Sequence, residues 1–153
     1  MVLDFYTKVH EVLQSENRLV LMVVIANEGS SPGRKGFKML VTKNQMYGTI
    51  GGGIMEHKLV EFAESLLDKH TFEPFIKHQI HDKSAPKDQS GMICSGQQTI
   101  AFYDIRDYFF PLAEQIVTEK DFVITYSNLG INIPAENAEW SFRIQAGHTN
   151  TIV

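Results

Sequence analysis

The chain has 153 residues, 43% of them hydrophobic, with a formal net charge of −4 at pH 7. That is enough apolar material for one domain with a real core and gives no case for two, while the acidic balance argues against general attraction to nucleic acid or an anionic membrane surface. No run approaches the roughly 18 apolar residues that cross a bilayer, Met1-Val2-Leu3-Asp4 lacks the basic start of an export signal, and the single cysteine, Cys94, excludes an internal disulfide; the cytoplasm is the expected compartment.

Leu3, Val9, Val12 and Leu13 recur at helical spacing, which predicts an amphipathic helix over 3–16. Residues 18–26 form a continuous, largely β-branched apolar run, the pattern of a strand covered on both faces. After a loop over 27–36, residues 37–42 and 45–50 flank Lys43-Asn44 as a hairpin that leads into Gly51-Gly52-Gly53. Met55, Leu59, Phe62, Ala63, Leu66 and Leu67 then share one face of a helix over 54–69. A strand over 72–80, a polar connection over 81–90, a strand over 97–105, a helix over 108–119 and strands over 122–126 and 140–145 complete the chain. Hairpins and helices mix without strict βαβ alternation, so the expected class is α+β, a single domain over 1–153 with a mixed β-sheet packed by helices.

Three glycine-rich segments carry the chemistry. Gly29-Ser30-Ser31-Pro32-Gly33-Arg34-Lys35-Gly36-Phe37-Lys38 joins glycines, hydroxyls and cations between two strands, where backbone N–H groups and positive side chains could converge on an anion; Ser-Pro-Gly is equally the composition of a solvated turn. Gly48-Thr49-Ile50-Gly51-Gly52-Gly53 runs from strand into helix and offers unpaired N–H donors to a phosphate, or else makes a sharp packing corner; its spacing fits neither a dinucleotide fingerprint nor a Walker A loop. Glu56, in the first turn, competes for those donors, satisfies the helix end, or accepts paired N–H groups from a heterocycle such as a pterin. Gly91-Met92-Ile93-Cys94-Ser95-Gly96 sets the lone thiol among small residues ahead of a strand, as a reactive group or as a small buried hydrophobe. His78, His81, Asp82 and Cys94 supply metal-ligand types without a recurring ligand spacing, and no serine-hydrolase elbow is present.

In order, spacing and residue types these segments resemble the N-terminal domain of the xanthine dehydrogenase accessory proteins, the XdhC/CoxI family, across roughly residues 5–105. The resemblance implies a cytoplasmic chaperone, not a turnover enzyme, that binds molybdenum cofactor (molybdopterin), assists its sulfuration and delivers it to xanthine dehydrogenase-type molybdoenzymes. It implies as partners that recipient enzyme, a sulfurtransferase, and a second copy or a separate Rossmann-like half, with no nucleic acid and no membrane. The cofactor is an anionic pyranopterin, and on this reading Ser30, Ser31, Arg34 and Lys38 with the Gly51, Gly52 and Gly53 amides take its anionic portion, Glu56 the pterin edge and Cys94 the molybdenum. Two departures stand out. Cys94-Ser95-Gly96 replaces the usual Cys-Gly-Gly, and Asn150-Thr151-Ile152-Val153 resembles the first strand of the family's C-terminal Rossmann-like domain, which is otherwise absent, so the chain is expected to be an N-terminal half. The alternatives are a small nucleotide- or phosphate-handling enzyme and a structural interaction module that binds no cofactor.

Overall fold

A computed structural model of the chain describes residues 2–81, 96–119 and 121–146. Helix α1 (Val2–Glu16) buries Phe5, Tyr6, Val9, Val12 and Leu13 along one stripe. It stops at Asn17, which takes the left-handed conformation (φ 64°) that asparagine tolerates, and the chain turns into strand β1 (Arg18–Gly29). Along β1 the side chains alternate between two cores. Leu19, Leu21 and Val23 enter one; Val20, Met22 and Val24 enter the other, as the unbroken apolar run predicts.

Strands β2 (Lys38–Val41) and β3 (Met46–Gly48), helix α2 (Gly53–Leu66), and strands β4 (Phe75–His81) and β5 (Gly96–Arg106) follow, giving a five-stranded sheet in the order β3-β2-β1-β5-β4. A short 3-10 turn leads into α3 (Phe110–Thr118), and β6 (Phe122–Ser127), β7 (Gly130–Ile131) and β8 (Ser141–Ala146) form a second sheet in the order β7-β6-β8. The α+β class stands, but the expected mixed sheet does not: every described pairing in both sheets is antiparallel. The reason is where the α2 crossover lands. It joins β3 to β4, which run in the same direction, yet these are opposite edges of the sheet, so no parallel neighbours result.

The five-stranded sheet has α2 on one face, where Met55, Leu59, Val60, Ala63 and Leu66 pack over Val20, Met22, Ile100 and Phe102. Helices α1 and α3 and the second sheet share the other face with Tyr103 and Ile105. There the Tyr6 and Tyr126 hydroxyls hydrogen-bond each other, and the Tyr103 hydroxyl donates to the Ser127 carbonyl at 2.8 Å, joining the two sheets. Burial raises the pKa of all three tyrosines.

Strand directions put the C-terminal ends of β1, β3 and β4 at one end of the sheet, together with the N-terminal ends of α2 and β5. All that remains of the three glycine-rich segments within the described residues lies at this end.

Candidate functional site

Backbone meets backbone at this end of the sheet. A Cβ on Gly51 would stand 2.8 Å from the Gly33 nitrogen, and one on Gly33 would stand 2.5 Å from the Ile50 carbonyl oxygen, so the loop after β1 and the corner before α2 are in direct contact. On the other side, a Cβ on Gly96 would lie 2.6–2.7 Å from Glu28 O, Ser30 N and Ser31 N. Gly96 also pairs with Gly29 in the β1–β5 ladder. The start of β5, two residues after Cys94, is therefore laid against Ser30 and Ser31.

Gln98 fastens this junction. Only 2% exposed, it accepts a hydrogen bond from Gly33 N–H (2.9 Å) and donates to the Ile50 carbonyl (3.1 Å) and to Gln79 Oε1 (2.9 Å). One buried carboxamide thus satisfies two backbone groups from different loops and reaches a third strand. Neither glutamine was among the residues the sequence singled out. The signal was present: Gln98 stands at i−2 and i−4 from Ile100 and Phe102, hence on their buried face, where a polar side chain needs partners.

The predicted residues divide. Ser30 and Arg34 are exposed at the junction; Arg34 spends Nη1 on the Ser31 carbonyl (2.8 Å) and keeps the rest of its guanidinium outward. Ser31 is buried, its hydroxyl donating to Gly33 O at 3.0 Å, which makes it a turn-forming residue. Glu56 turns back over the corner. Its Oε1 accepts from Thr49 Oγ1 (2.6 Å), Ile50 N (2.8 Å) and Gly52 N (3.1 Å), and Gly51 N donates to Thr49 Oγ1 (3.1 Å). The Gly51 and Gly52 amides are thereby engaged within the corner, while Gly53 N–H and Glu56 Oε2 have no partner among the described residues. Gly52, the residue before α2, has no side chain to cap the helix, and a Cβ there would meet nothing within 4 Å, so the approach to the first turn is open.

Lys38 is the member that the fold does not bring to this face. It pairs with Val23, whose side chain enters the core of α1, α3 and the second sheet, so its own side chain points the same way. Its Nζ donates to Gly36 O at 2.7 Å, and burial pushes its pKa down to about 7. It holds the loop from behind. Cys94 lies outside the described residues, as do Asp82 and the side chain of His81; His78 is described, and its Nδ1 pairs with Thr99 Oγ1 at 3.0 Å. Among the described residues no group of three His, Cys, Asp or Glu side chains could hold a metal ion, and no helix is long and apolar enough to cross a membrane.

A cavity of about 290 Å³ lies at the other end of the sheet, between Phe72, Pro74, Arg106, Tyr108, Ile131 and Ile133. None of the predicted site residues lines it.

Comparison with known proteins agrees with the sequence motifs. No curated protein matches the chain. Among solved structures, one described as a xanthine dehydrogenase from Bacillus halodurans superposes with a TM-score of 0.61 at 18% identity, covering 96% of this chain and 44% of that one. At that identity the likeness is one of fold, and the chain spans less than half the length of its neighbour. Residues 12–77, which include β1, the loop after it, the glycine corner and α2, match the model of the XdhC and CoxI family. Over that segment the chain is thus similar to the XdhC and CoxI family.

Proposed function

We propose that this domain binds molybdenum cofactor and serves the maturation of a xanthine dehydrogenase-type molybdenum hydroxylase, as a carrier and not as a turnover enzyme. The observation that carries the reading is the junction itself: the loop with Ser30 and Arg34, the glycine corner ahead of α2 and the start of β5 meet within backbone contact. The match of residues 12–77 to the XdhC and CoxI family model supplies the link to xanthine dehydrogenase maturation.

The donor set fits an anionic pterin in part. Ser30, the outward guanidinium of Arg34 and the Gly53 amide are free to take the anionic portion, and the open face at Gly52 leaves room for it. Glu56 Oε2 remains to accept from the pterin edge while Oε1 keeps the corner folded. Ser31 and Lys38 serve as supports of the loop, not as contacts. Cys94 enters by sequence position alone, two residues ahead of Gly96, with a thiolate that is the soft ligand suited to molybdenum. When bound, the cofactor would bring the metal centre that the hydroxylase uses; this chain would hold it and orient it.

Anaerobic titration with cofactor released from a donor enzyme, followed by desalting, tests the reading. The parent is expected to retain molybdenum and pterin together, Cys94→Ser to lose most of the molybdenum, and Arg34→Ala to lose both in a salt-dependent manner. Failure of the parent to retain either would overturn the cofactor role in favour of an interaction module.

A further inference from the structure

The carboxamide of Gln98 has only one orientation. Gly33 N–H can only donate, so the atom 2.9 Å from it is Oε1; the Ile50 carbonyl can only accept, so the atom 3.1 Å from it is Nε2. The other Nε2 proton of Gln98 points to Gln79 at 2.9 Å, and Gln79 must therefore present Oε1 in return. Two fixed backbone groups thus set the orientation of two side chains in series. Gln79 Nε2 is left with two protons and no acceptor among the described residues.

Gln79 stands opposite Gln98 in the β4–β5 ladder, half-buried, on the α2 face at the junction end of the sheet. Lys77, two residues earlier on the same face, carries its ammonium 4.3 Å from the Phe62 ring and adds positive potential. With Ser30, Arg34 and Gly53 N–H, this gathers donors at the junction beside the Glu56 carboxylate, whose Oε1 is already engaged by the glycine corner. Such a site selects oxygen-rich anions.

We infer that Gln79 is a ligand-contacting residue, whose outward N–H groups donate to an oxygen of the anion held at the junction. The inference deepens the functional reading above, since it takes the same junction as the ligand site, but it requires only an oxyanion and not a particular cofactor.

Gln79→Glu is the informative variant. A glutamate oxygen still accepts from Gln98 Nε2, so the fastening survives, while the outward donor becomes a charged acceptor. The experiment follows the side-chain NH₂ resonances of the 15N-labelled full chain during titration with inorganic phosphate, against sodium chloride at equal ionic strength, and in parallel with released cofactor under anaerobic conditions. The Gln79 resonances are expected to shift saturably with phosphate and with cofactor. Gln79→Glu is expected to weaken both by about tenfold or more, the scale of one hydrogen bond to a charged group, with an unchanged melting temperature. Saturable phosphate shifts without cofactor retention would keep the Gln79 role and overturn the cofactor reading. Equal binding by parent and Gln79→Glu would overturn the Gln79 role and leave that reading intact. Gln79 resonances unmoved by either probe would overturn the inference, whatever the variant's own stability.

Discussion

The two ends of strand β5 solve the same problem by different means. Each places a polar side chain on the α2 face and uses it to tie several segments together. At one end Asp104 accepts from Arg18 Nε (2.9 Å) and Phe72 N (3.3 Å) and stands 3.4 Å from Arg106 Nη2, while Arg18 goes on to donate to the Leu67 and Lys69 carbonyls just beyond α2. At the other, Gln98 ties Gly33, Ile50 and Gln79 with a neutral carboxamide. The charged clasp directs its donors and acceptors inward, onto α2 and the turn before β4. The neutral one leaves donors over, on Gln79, Arg34 and Gly53. A fastening that consumes its partners is structural; one that ends in spare donors beside an open helix start is where a ligand can be held.

The comparison breaks most visibly at the charged end. Asp104→Ala leaves the largely buried Arg18 guanidinium without its carboxylate and is expected to cost about 3–5 kcal/mol, read as a shift in urea midpoint at constant slope. Burial alone would raise the Asp104 pKa, but hydrogen bonds from Arg18 and Arg106, the Arg18 charge and Phe72 N–H together hold it below the ordinary value. A carboxyl so depressed contributes stability above the unfolded pKa of about 4, and that contribution is lost as pH falls through the folded value. The parent should therefore lose stability on acidification below about pH 4 more steeply than the variant. Parallel acid curves would show the clasp to be uncoupled from folding.

Next in size is Gln98→Leu. It orphans Gly33 N–H and the Ile50 carbonyl in a buried junction, for an expected loss of about 3 kcal/mol. The sharper expectation is spatial. Amide exchange should accelerate in the loop over 29–36 and at the glycine corner, while the Arg18–Asp104 end keeps its protection. Uniform acceleration across the sheet would mean that the two ends fold as one unit, and the contrast between them would fall.

How much of this was legible from residues alone follows from what each signal reports. The double-sided β1 declared itself because every position from Leu19 to Val24 is apolar, and α2 because Met55, Leu59, Ala63 and Leu66 keep helical spacing. The antiparallel sheet was not legible, since landing β4 on the far edge is a property of tertiary packing and leaves no local trace. Strand β7, only two residues long, is held by pairing with Tyr126 and Ser127 and not by its own propensity. At the site, glycine spacing located the loops but not the directions of their side chains. Lys38 looks like one more cation of the Arg34-Lys35 cluster, yet strand alternation sends it to the opposite core. Gln98 and Gln79 were invisible to a search for charged or nucleophilic groups, because their role comes from orientation and not from charge.

Lys38 gives a third test, smaller and dependent on pH. The junction loop is held from the α2 face through Gly33 and from the opposite face through Gly36 O, which accepts from Lys38, a residue only 6% exposed. Its folded pKa of about 7 lies below the ordinary lysine value, so between pH 7 and pH 9 the unfolded chain binds a proton that the folded chain does not. Stability must then rise with pH across that window, by about 2 kcal/mol. The buried tyrosines do not interfere there, since they are protonated in both states below about pH 9 and oppose the trend only above it. Lys38→Met should flatten the rise, and a rise that persists in the variant would assign it to another group.

The smallest effect on stability belongs to Arg34, which gives the comparison its clearest reading. The side chain is exposed and makes one hydrogen bond, to the Ser31 carbonyl at 2.8 Å, so Arg34→Ala should change stability by no more than about 0.5 kcal/mol. Arg18→Ala, at the clasp end, should instead cost several kcal/mol, because it strips a buried carboxylate of its main partner. Binding should rank the same two arginines in the opposite order. Phosphate affinity, measured at low and high salt, should fall severalfold in Arg34→Ala, with a weaker salt dependence, and stay unchanged in any Arg18 variant that remains folded, such as Arg18→Lys. If both arginines moved stability alone, the spare donors at the junction would be ordinary surface polarity, and the division of β5 into a structural end and a binding end would have no physical basis.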